Sequence, residues 1–253
     1  MNSSGSVAIL LGSAGGLGQA LYPYLKKKYS CVVTIDCVED KQSDHHIVAD
    51  IREKESLQKI LCFVEEKGQL DALIFATGLG SSEIFWEQEP SVFQKIIDIN
   101  FVKPVEIIHG VSSFLIKSQG HVVFIGSTSA FLPSQKWLAY SISKSSLDHF
   151  CRSLQREWKK KVTVSMFHPG PMKTNMHKNL GMDLKKIRWK TFRDPDWMAQ
   201  KIMKCFEKPS KYRIVPEWKQ NVLITCVPFF KFLWAPILRR YYEKKEMSHH
   251  RKL

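Results

Sequence analysis

The sequence predicts an α/β fold, a doubly wound parallel sheet in a single domain, with an apolar and then basic extension at its C-terminus. Three observations predict it. Short apolar runs of strand type alternate with amphipathic helical stretches from Ser6 to Phe167. The first run ends directly in a glycine-rich turn that opens a helix. Polar residues of chemical interest collect just after the apolar runs, where open parallel sheets hold ligands. A chain of 253 residues with 44% apolar and 25% charged residues suits one medium-sized globular domain with a full core. The expected division is a main domain over 1–215 and an extension over 216–253.

The first run, Ser6 to Leu11, leads into Gly12-Ser13-Ala14-Gly15-Gly16-Leu17-Gly18. Leu17, Leu21, Tyr24 and Leu25 then recur at helical spacing. Strand, glycine turn and helix in that order form the dinucleotide-binding, Rossmann-type context. Glycines let the backbone approach a pyrophosphate, and the N–H groups and positive dipole end of the helix hold its charge. Pro23 fits poorly, because a proline inside a helix costs about 3 kcal/mol or kinks the axis. The second run, Ser30 to Asp36, closes on a carboxylate eighteen residues beyond Gly18. A carboxylate there accepts hydrogen bonds from ribose hydroxyls and repels a 2′-phosphate, which favours NAD(H) over NADP(H).

A short strand from His46 to Ala49 leads into Asp50-Ile51, and Leu57, Ile60, Leu61 and Val64 mark a helix that packs on the sheet. Asp71 to Ala76 is a buried strand with Thr77-Gly78 at its end. Pro90 begins a helical stretch to Lys117 that is apolar on more than one side, as expected of a helix covered by both the sheet and a second subunit. Asn100 lies inside it. His121 to Ile125 is the next buried strand, followed by Gly126-Ser127; Val162 to Phe167 is another, followed by His168-Pro169-Gly170-Pro171.

Between those last two strands stand Tyr140 and Lys144, on a helical stretch over 139–160. Four residues apart, their side chains leave one helix face about 6 Å apart along the axis. An adjacent cation favours the phenolate, so the pair is a candidate proton-transfer device. Ser127, thirteen residues before Tyr140, is placed to join it.

Taken together, these residues make the chain resemble the short-chain dehydrogenase/reductase family from about Ser6 to about Thr174. Gly12, Gly16 and Gly18 match the family's glycine pattern, with Ser13, Gly15 and Leu17 in the same turn. Asp36 matches its ribose carboxylate, and Asp50 with Ile51 its adenine-contacting pair. Asn100, Ser127, Tyr140 and Lys144 fall on its catalytic set in order. Pro169, Gly170 and Thr174 resemble the loop at the nicotinamide end. Three departures stand out. Phe75-Ala76-Thr77-Gly78 replaces Asn-Asn-Ala-Gly, Leu11 replaces a Thr, and Gly126-Ser127 replaces Ser-Ser.

The resemblance implies hydride transfer between nicotinamide and an alcohol or carbonyl substrate. Tyr140 would exchange the proton and Lys144 would lower the Tyr140 pKa and hold the ribose. Ser127 would polarise the substrate oxygen, and Asn100 would hold a relay water. Two other functions compete with it. One is a dinucleotide-binding sensor or scaffold that lacks turnover. The other is a sugar-nucleotide epimerase, which normally needs a longer C-terminal region.

The substrate lid is expected over 171–197, where Met172, Met176, Met182, Trp189, Phe192 and Trp197 suggest an apolar, lipid-like substrate or a lid packed on itself. The six cysteines form no CxxC pair and no cluster with the nine histidines, so metal and disulfides are not expected and a reducing cytoplasm is. Of the net charge of +14, eight units sit after residue 207, where eleven Lys or Arg oppose three Glu. Val222 to Leu238 is the most apolar stretch, but it is short and broken by Pro228 and Pro236. Peripheral membrane contact by 218–245 is the favoured expectation, and packing on a partner subunit the alternative. Nucleic acid is not expected, because apolar surface beside the cations suits phosphates badly. A homodimer or tetramer through the helices 90–117 and 139–160 completes the expectations.

Overall fold

In the computed structural model the described residues are 5–131, 136–179, 189–207 and 213–214. The apolar and basic tail, and with it the expected membrane segment, lies outside them, as does the middle of the lid. Seven parallel strands form one sheet in the order β3-β2-β1-β4-β5-β6-β7. They are β1 Val7–Leu11, β2 Cys31–Asp36, β3 His46–Val48, β4 Ala72–Phe75, β5 His121–Ile125, β6 Thr163–Phe167 and β7 Arg213–Ile214. The helices are α1 Gly16–Lys28, α2 Lys54–Lys67, α3 Pro90–Ile97, α4 Lys103–Lys117, α5 Leu138–Glu157, α6 Met176–Asn179 and α7 Pro195–Glu207.

Every residue of β1, β4 and β5 is buried, which is why these strands read as unbroken apolar runs. Alternation along them still sorts the two faces. Ala8 and Leu10 join Ile74 and Val123 with Leu17, Leu21 and Leu25 of α1 and Met198 and Ile202 of α7. Ile9 and Leu11 join Leu73, Phe75 and Phe124 with Ile60 and Val64 of α2, Ile108 and Val111 of α4, and Leu147 of α5. Helices therefore cover both faces, as a doubly wound sheet requires.

Two features of the helices need a physical account. Pro23 does sit inside α1, but on its exposed side with Gln19. The carbonyl one turn back that loses its partner opens toward water, so the helix continues past the ring. The stretch from Pro90 to Lys117 is interrupted by a π-helical turn at Asp98–Val102. There the Lys103 N–H donates to the Asp98 carbonyl, five residues back. Pro104 follows at the start of α4 with no N–H to give and a ring that would crowd the Asn100 carbonyl. Widening the turn accommodates both. This rod is long and apolar enough to pass for a membrane span by composition, yet Ile96, Ile107, Ile108, Val111 and Leu115 are buried in the protein.

Register decides where the polar residues gather. Leu11 pairs with Ile35 and with Phe75, Phe75 with Phe124, and Ile125 with Phe167. The residues just past these positions emerge side by side at the C-terminal end of the sheet: the glycine turn, Asp36, Ala76-Thr77-Gly78, Gly126-Ser127 and His168-Pro169-Gly170.

Candidate active site

The glycine turn is shaped by close approach. Gly12 has φ of +83°, and a Cβ there would lie 2.6 Å from the Thr77 nitrogen. A Cβ on Gly18 would lie 2.1 Å from the Gly12 carbonyl oxygen, so α1 starts directly against the turn. Gly15 caps α1 without a side-chain hydrogen bond, which leaves first-turn N–H groups for an anion. Asp36 steadies the turn, its Oδ2 accepting from the Ala14 N–H at 3.0 Å. Thr174 lies over Gly16, close enough that a Cβ there would meet its Cγ2 at 3.0 Å. The hydroxyls of Ser13 and Thr77 are buried with no hydrogen-bond partner among the described residues. A tight glycine cradle, two such hydroxyls and a carboxylate at the end of β2 fit the pyrophosphate and ribose of a dinucleotide.

Asp50 meets a cation two residues on in the chain. Its carboxylate is occupied by Arg52, with Nη2 to Oδ2 at 2.5 Å and the Arg52 backbone N–H on Oδ1 at 3.0 Å. The guanidinium hydrogen bond holds the Asp50 carboxyl below its ordinary range. Ile51 beside it is buried.

Beyond the turn, the chain assembles Asn100, Ser127, Tyr140 and Lys144. Tyr140 and Lys144 are 8% and 3% exposed. The Tyr140 hydroxyl hydrogen-bonds the Ser127 side chain, and Ser127 Oγ also accepts from the Ser129 N–H at 3.2 Å and its hydroxyl at 2.9 Å. Lys144 Nζ donates to the Ile125 carbonyl at 2.8 Å and stands 5.8 Å from the centre of the Tyr140 ring. Asn100 Nδ2 donates to the Leu79 carbonyl at 2.7 Å and to Ser143 Oγ at 2.9 Å, while its Oδ1 accepts from the Leu79 N–H at 2.9 Å. Ser143 donates its own hydroxyl proton to the Tyr140 carbonyl at 2.7 Å. The Asn100 amide thus ties the loop after β4 to the second turn of α5. At Gly78 an added Cβ would sit 3.8 Å from Lys144 Nζ and 3.9 Å from Asn100 Oδ1.

The expected lowering of the Tyr140 pKa by Lys144 is not what this environment produces. Burial pushes the phenol up to about 12, against a smaller lowering by the Ser127 hydrogen bond. Burial likewise brings the Lys144 ammonium down to about 8. The cation stands beside the ring and gives its 2.8 Å hydrogen bond to a backbone carbonyl, so desolvation outweighs attraction. Between pH 8 and 10.5 the folded chain therefore holds fewer protons at Lys144 than the unfolded chain, and this group makes stability rise with pH across that window. The expected span is about 3 kcal/mol. Urea midpoints measured from about pH 7.5 to 10.5 should rise more for the wild type than for Lys144→Met; parallel curves would refute it.

Gly126, where the family has serine, has a steric reason. A Cβ there would lie 2.6 Å from His168 Nδ1. His168 itself, 0% exposed, was not among the residues the sequence singled out, nor was Asp148 with which it pairs. The one signal in the chain was spacing, since Asp148 and Arg152 continue the four-residue step of Tyr140 and Lys144.

The sequence profile of the short chain dehydrogenases matches residues 6–185. The chain belongs to that family. A 3-oxoacyl-[acyl-carrier-protein] reductase, FabG, of Buchnera aphidicola is 28% identical over 222 residues, covering 81% of this chain and 91% of its own. Among solved structures, a short-chain dehydrogenase of Sphingobium yanoikuyae in complex with NADPH matches with a TM-score of 0.78 at 16% identity, over 89% of this chain and 93% of its own. A 4-hydroxyisoleucine dehydrogenase mutant complexed with NADH and succinate matches at 0.73 and 20% identity, over 83% and 97%. Membership makes the protein a short-chain dehydrogenase/reductase oxidoreductase that uses NAD(P), and the structural likenesses establish the same fold.

In the lid, Met172 bridges to Arg193, and the His177 Nε2 lies 2.9 Å from the Met172 carbonyl. The rings of His177, Trp189 and Phe192 pack on one another with centroids 4.9 to 5.9 Å apart. Trp197 lies under Arg193 and Lys201. These aromatic residues favour the self-packed reading of the lid.

Proposed function

We propose that this protein interconverts an alcohol and its carbonyl with NAD(H) as the preferred dinucleotide, through Tyr140 as the proton donor and acceptor. The observation that carries this reading is the buried Tyr140 hydroxyl hydrogen-bonded to Ser127, with Lys144 alongside. The nicotinamide, when bound, supplies or removes the hydride. Gly12, Ser13, Gly15, Gly16, Leu17, Gly18 and Thr174 would hold its pyrophosphate, Asp36 the adenosine ribose, and Ala76, Thr77, Gly78, Pro169 and Gly170 would flank the rest. A phenol raised to about 12 is protonated at neutral pH, so it is poised to give its proton to a carbonyl oxygen. Ser127 donates to the same oxygen as charge develops there. Lys144 keeps a positive charge at neutral pH and stabilises the phenolate left behind. Asn100 supports the site by fixing Leu79 and Ser143, and a relay water is its proposed second task.

The walls near Tyr140 are aromatic. Trp137 meets its ring edge-on at 5.8 Å. Apolar carbonyl compounds are accordingly the proposed substrate class. The test is a panel of alcohols and carbonyls with NAD(H) and NADP(H), followed by nicotinamide absorbance; no turnover with any would overturn the reading. Asp36→Ala should weaken NADH binding about tenfold, by removal of charge-assisted hydrogen bonds to the ribose, and narrow the preference over NADPH. Equal preference in the wild type would refute the assignment of Asp36. Pairing of two copies through α4 and α5 is a further proposal, supported by exposed Leu138, Ile142 and Ile116; sedimentation at micromolar concentration tests it.

A further inference from the structure

Tyr140, Lys144, Asp148 and Arg152 recur every fourth residue along α5, so a phenol, an ammonium, a carboxylate and a guanidinium form one stripe. The first two belong to the site above. The third is 2% exposed and carries a charge that the reaction does not use. Its Oδ1 lies 2.9 Å from His168 Nε2, and its Oδ2 lies 2.8 Å from Nη2 of the half-exposed Arg152. The other nitrogen of His168, Nδ1, lies 3.0 Å from the Ser127 carbonyl oxygen. His168 is packed edge-on against Phe131, with ring centroids 4.7 Å apart, and its ring fills the space a side chain on Gly126 would need.

The chemistry of these neighbours fixes the chemistry of the ring. A carbonyl oxygen only accepts, and so does a carboxylate paired with arginine. A neutral imidazole has one donor and one acceptor nitrogen, and would set an acceptor against one of these oxygens at hydrogen-bond distance. Both contacts are satisfied when both nitrogens carry hydrogen, and Asp148 then balances the charge. A buried ion pair without such compensation would be costly; here each carboxylate oxygen meets a cation and each ring nitrogen meets an acceptor.

Resting on the reading of Ser127 as the group that polarises the substrate oxygen, we propose that His168 is a positioning residue whose doubly protonated ring clamps the Ser127 peptide to Asp148 of α5. The clamp sets three parts of the site against one another. Ser127 is held through its carbonyl, and α5, which carries Tyr140 and Lys144, is held through Asp148. Pro169 and Gly170, next in the chain, are held through the covalent bond and through the Thr128 N–H on the Pro169 carbonyl at 3.2 Å.

The test separates the two ends of the ring. In His168→Asn the amide reaches the Nδ1 position and keeps the donation to Ser127; in His168→Gln it reaches the Nε2 position and keeps Asp148. With the full chain, each variant keeps one end of the clamp and loses the other, so both should lose at least about tenfold in kcat, as expected for displaced groups at the reacting oxygen. NADH affinity, read by fluorescence, should change less than about twofold in both. Nitrogen-15 spectra of the histidine rings in the wild type, with the His168 signals identified by their loss in either variant, should show two protonated ring nitrogens at neutral pH. A single protonated nitrogen, or wild-type kcat in either variant, would overturn the proposal. Absence of turnover in the wild type would instead overturn the oxidoreductase reading, and the ring spectrum would still decide the protonation of His168.

Discussion

Tyr140→Phe should lower turnover by about 10²- to 10⁴-fold, the range for loss of a positioned acid or base, and leave dinucleotide binding nearly unchanged. The ring would stay in place, because Trp137 packs on its edge and the residue is 8% exposed. Only the oxygen that bonds Ser127 would go. Since Tyr140 is a buried phenol whose burial raises it to about 12, the variant also removes a polar atom from a dry place, and stability should hold or rise slightly. Steady-state rates with the best alcohol or carbonyl of the panel, beside NADH titration, give the two numbers. Unchanged turnover would remove Tyr140 from the chemistry.

The second large effect is expected at Gly12→Ala. Its φ of +83° costs a residue with a Cβ about 1–2 kcal/mol. The added atom also meets the Thr77 nitrogen at 2.6 Å and the Ala76 carbonyl carbon at 2.7 Å, an overpacking of about 1–3 kcal/mol. Both neighbours are backbone of the loop after β4, so relief must open the end of the sheet. Thermal unfolding should fall by several degrees, and NADH affinity should drop tenfold or more as the turn moves from its place. Wild-type values for both would mean that the turn has slack the geometry does not suggest.

What could be read from the sequence was what short spacing encodes. β1, its glycine turn, α1 and the carboxylate closing β2 lie within thirty residues of chain, and Ser127, Tyr140 and Lys144 within eighteen, so periodicity places them. The structure also brings Thr174 to Gly16, which the sequence offered only by likeness. Features set by long-range packing were not legible. The acidity of Tyr140 depends on how deeply α5 is buried, and spacing alone pointed the other way. Nor did spacing show that Arg52, two residues on, pairs with the Asp50 carboxylate. His168 and Asp148 are twenty residues apart, on a strand end and a helix, and neither residue type announces a partner. Nor does apolar periodicity distinguish an i to i−5 hydrogen bond from an ordinary one, so the wide turn around Asn100 was invisible.

That wide turn also phases the helix beyond it. Each residue advances an α-helix by about 100°, and the extra residue accommodated at Asp98–Val102 resets the heading of α4 relative to α3 by about that much. Ile107, Ile108, Val111 and Leu115 face the sheet because of that reset. Removing a single residue between Asp98 and Val102 would leave every hydrophobic residue of α4 in the chain and aim most of them elsewhere. The same turn that presents the Asn100 amide to Leu79 and Ser143 is thus the index mark for fifteen residues of core helix, so the site and the core cannot drift independently through insertions or deletions there.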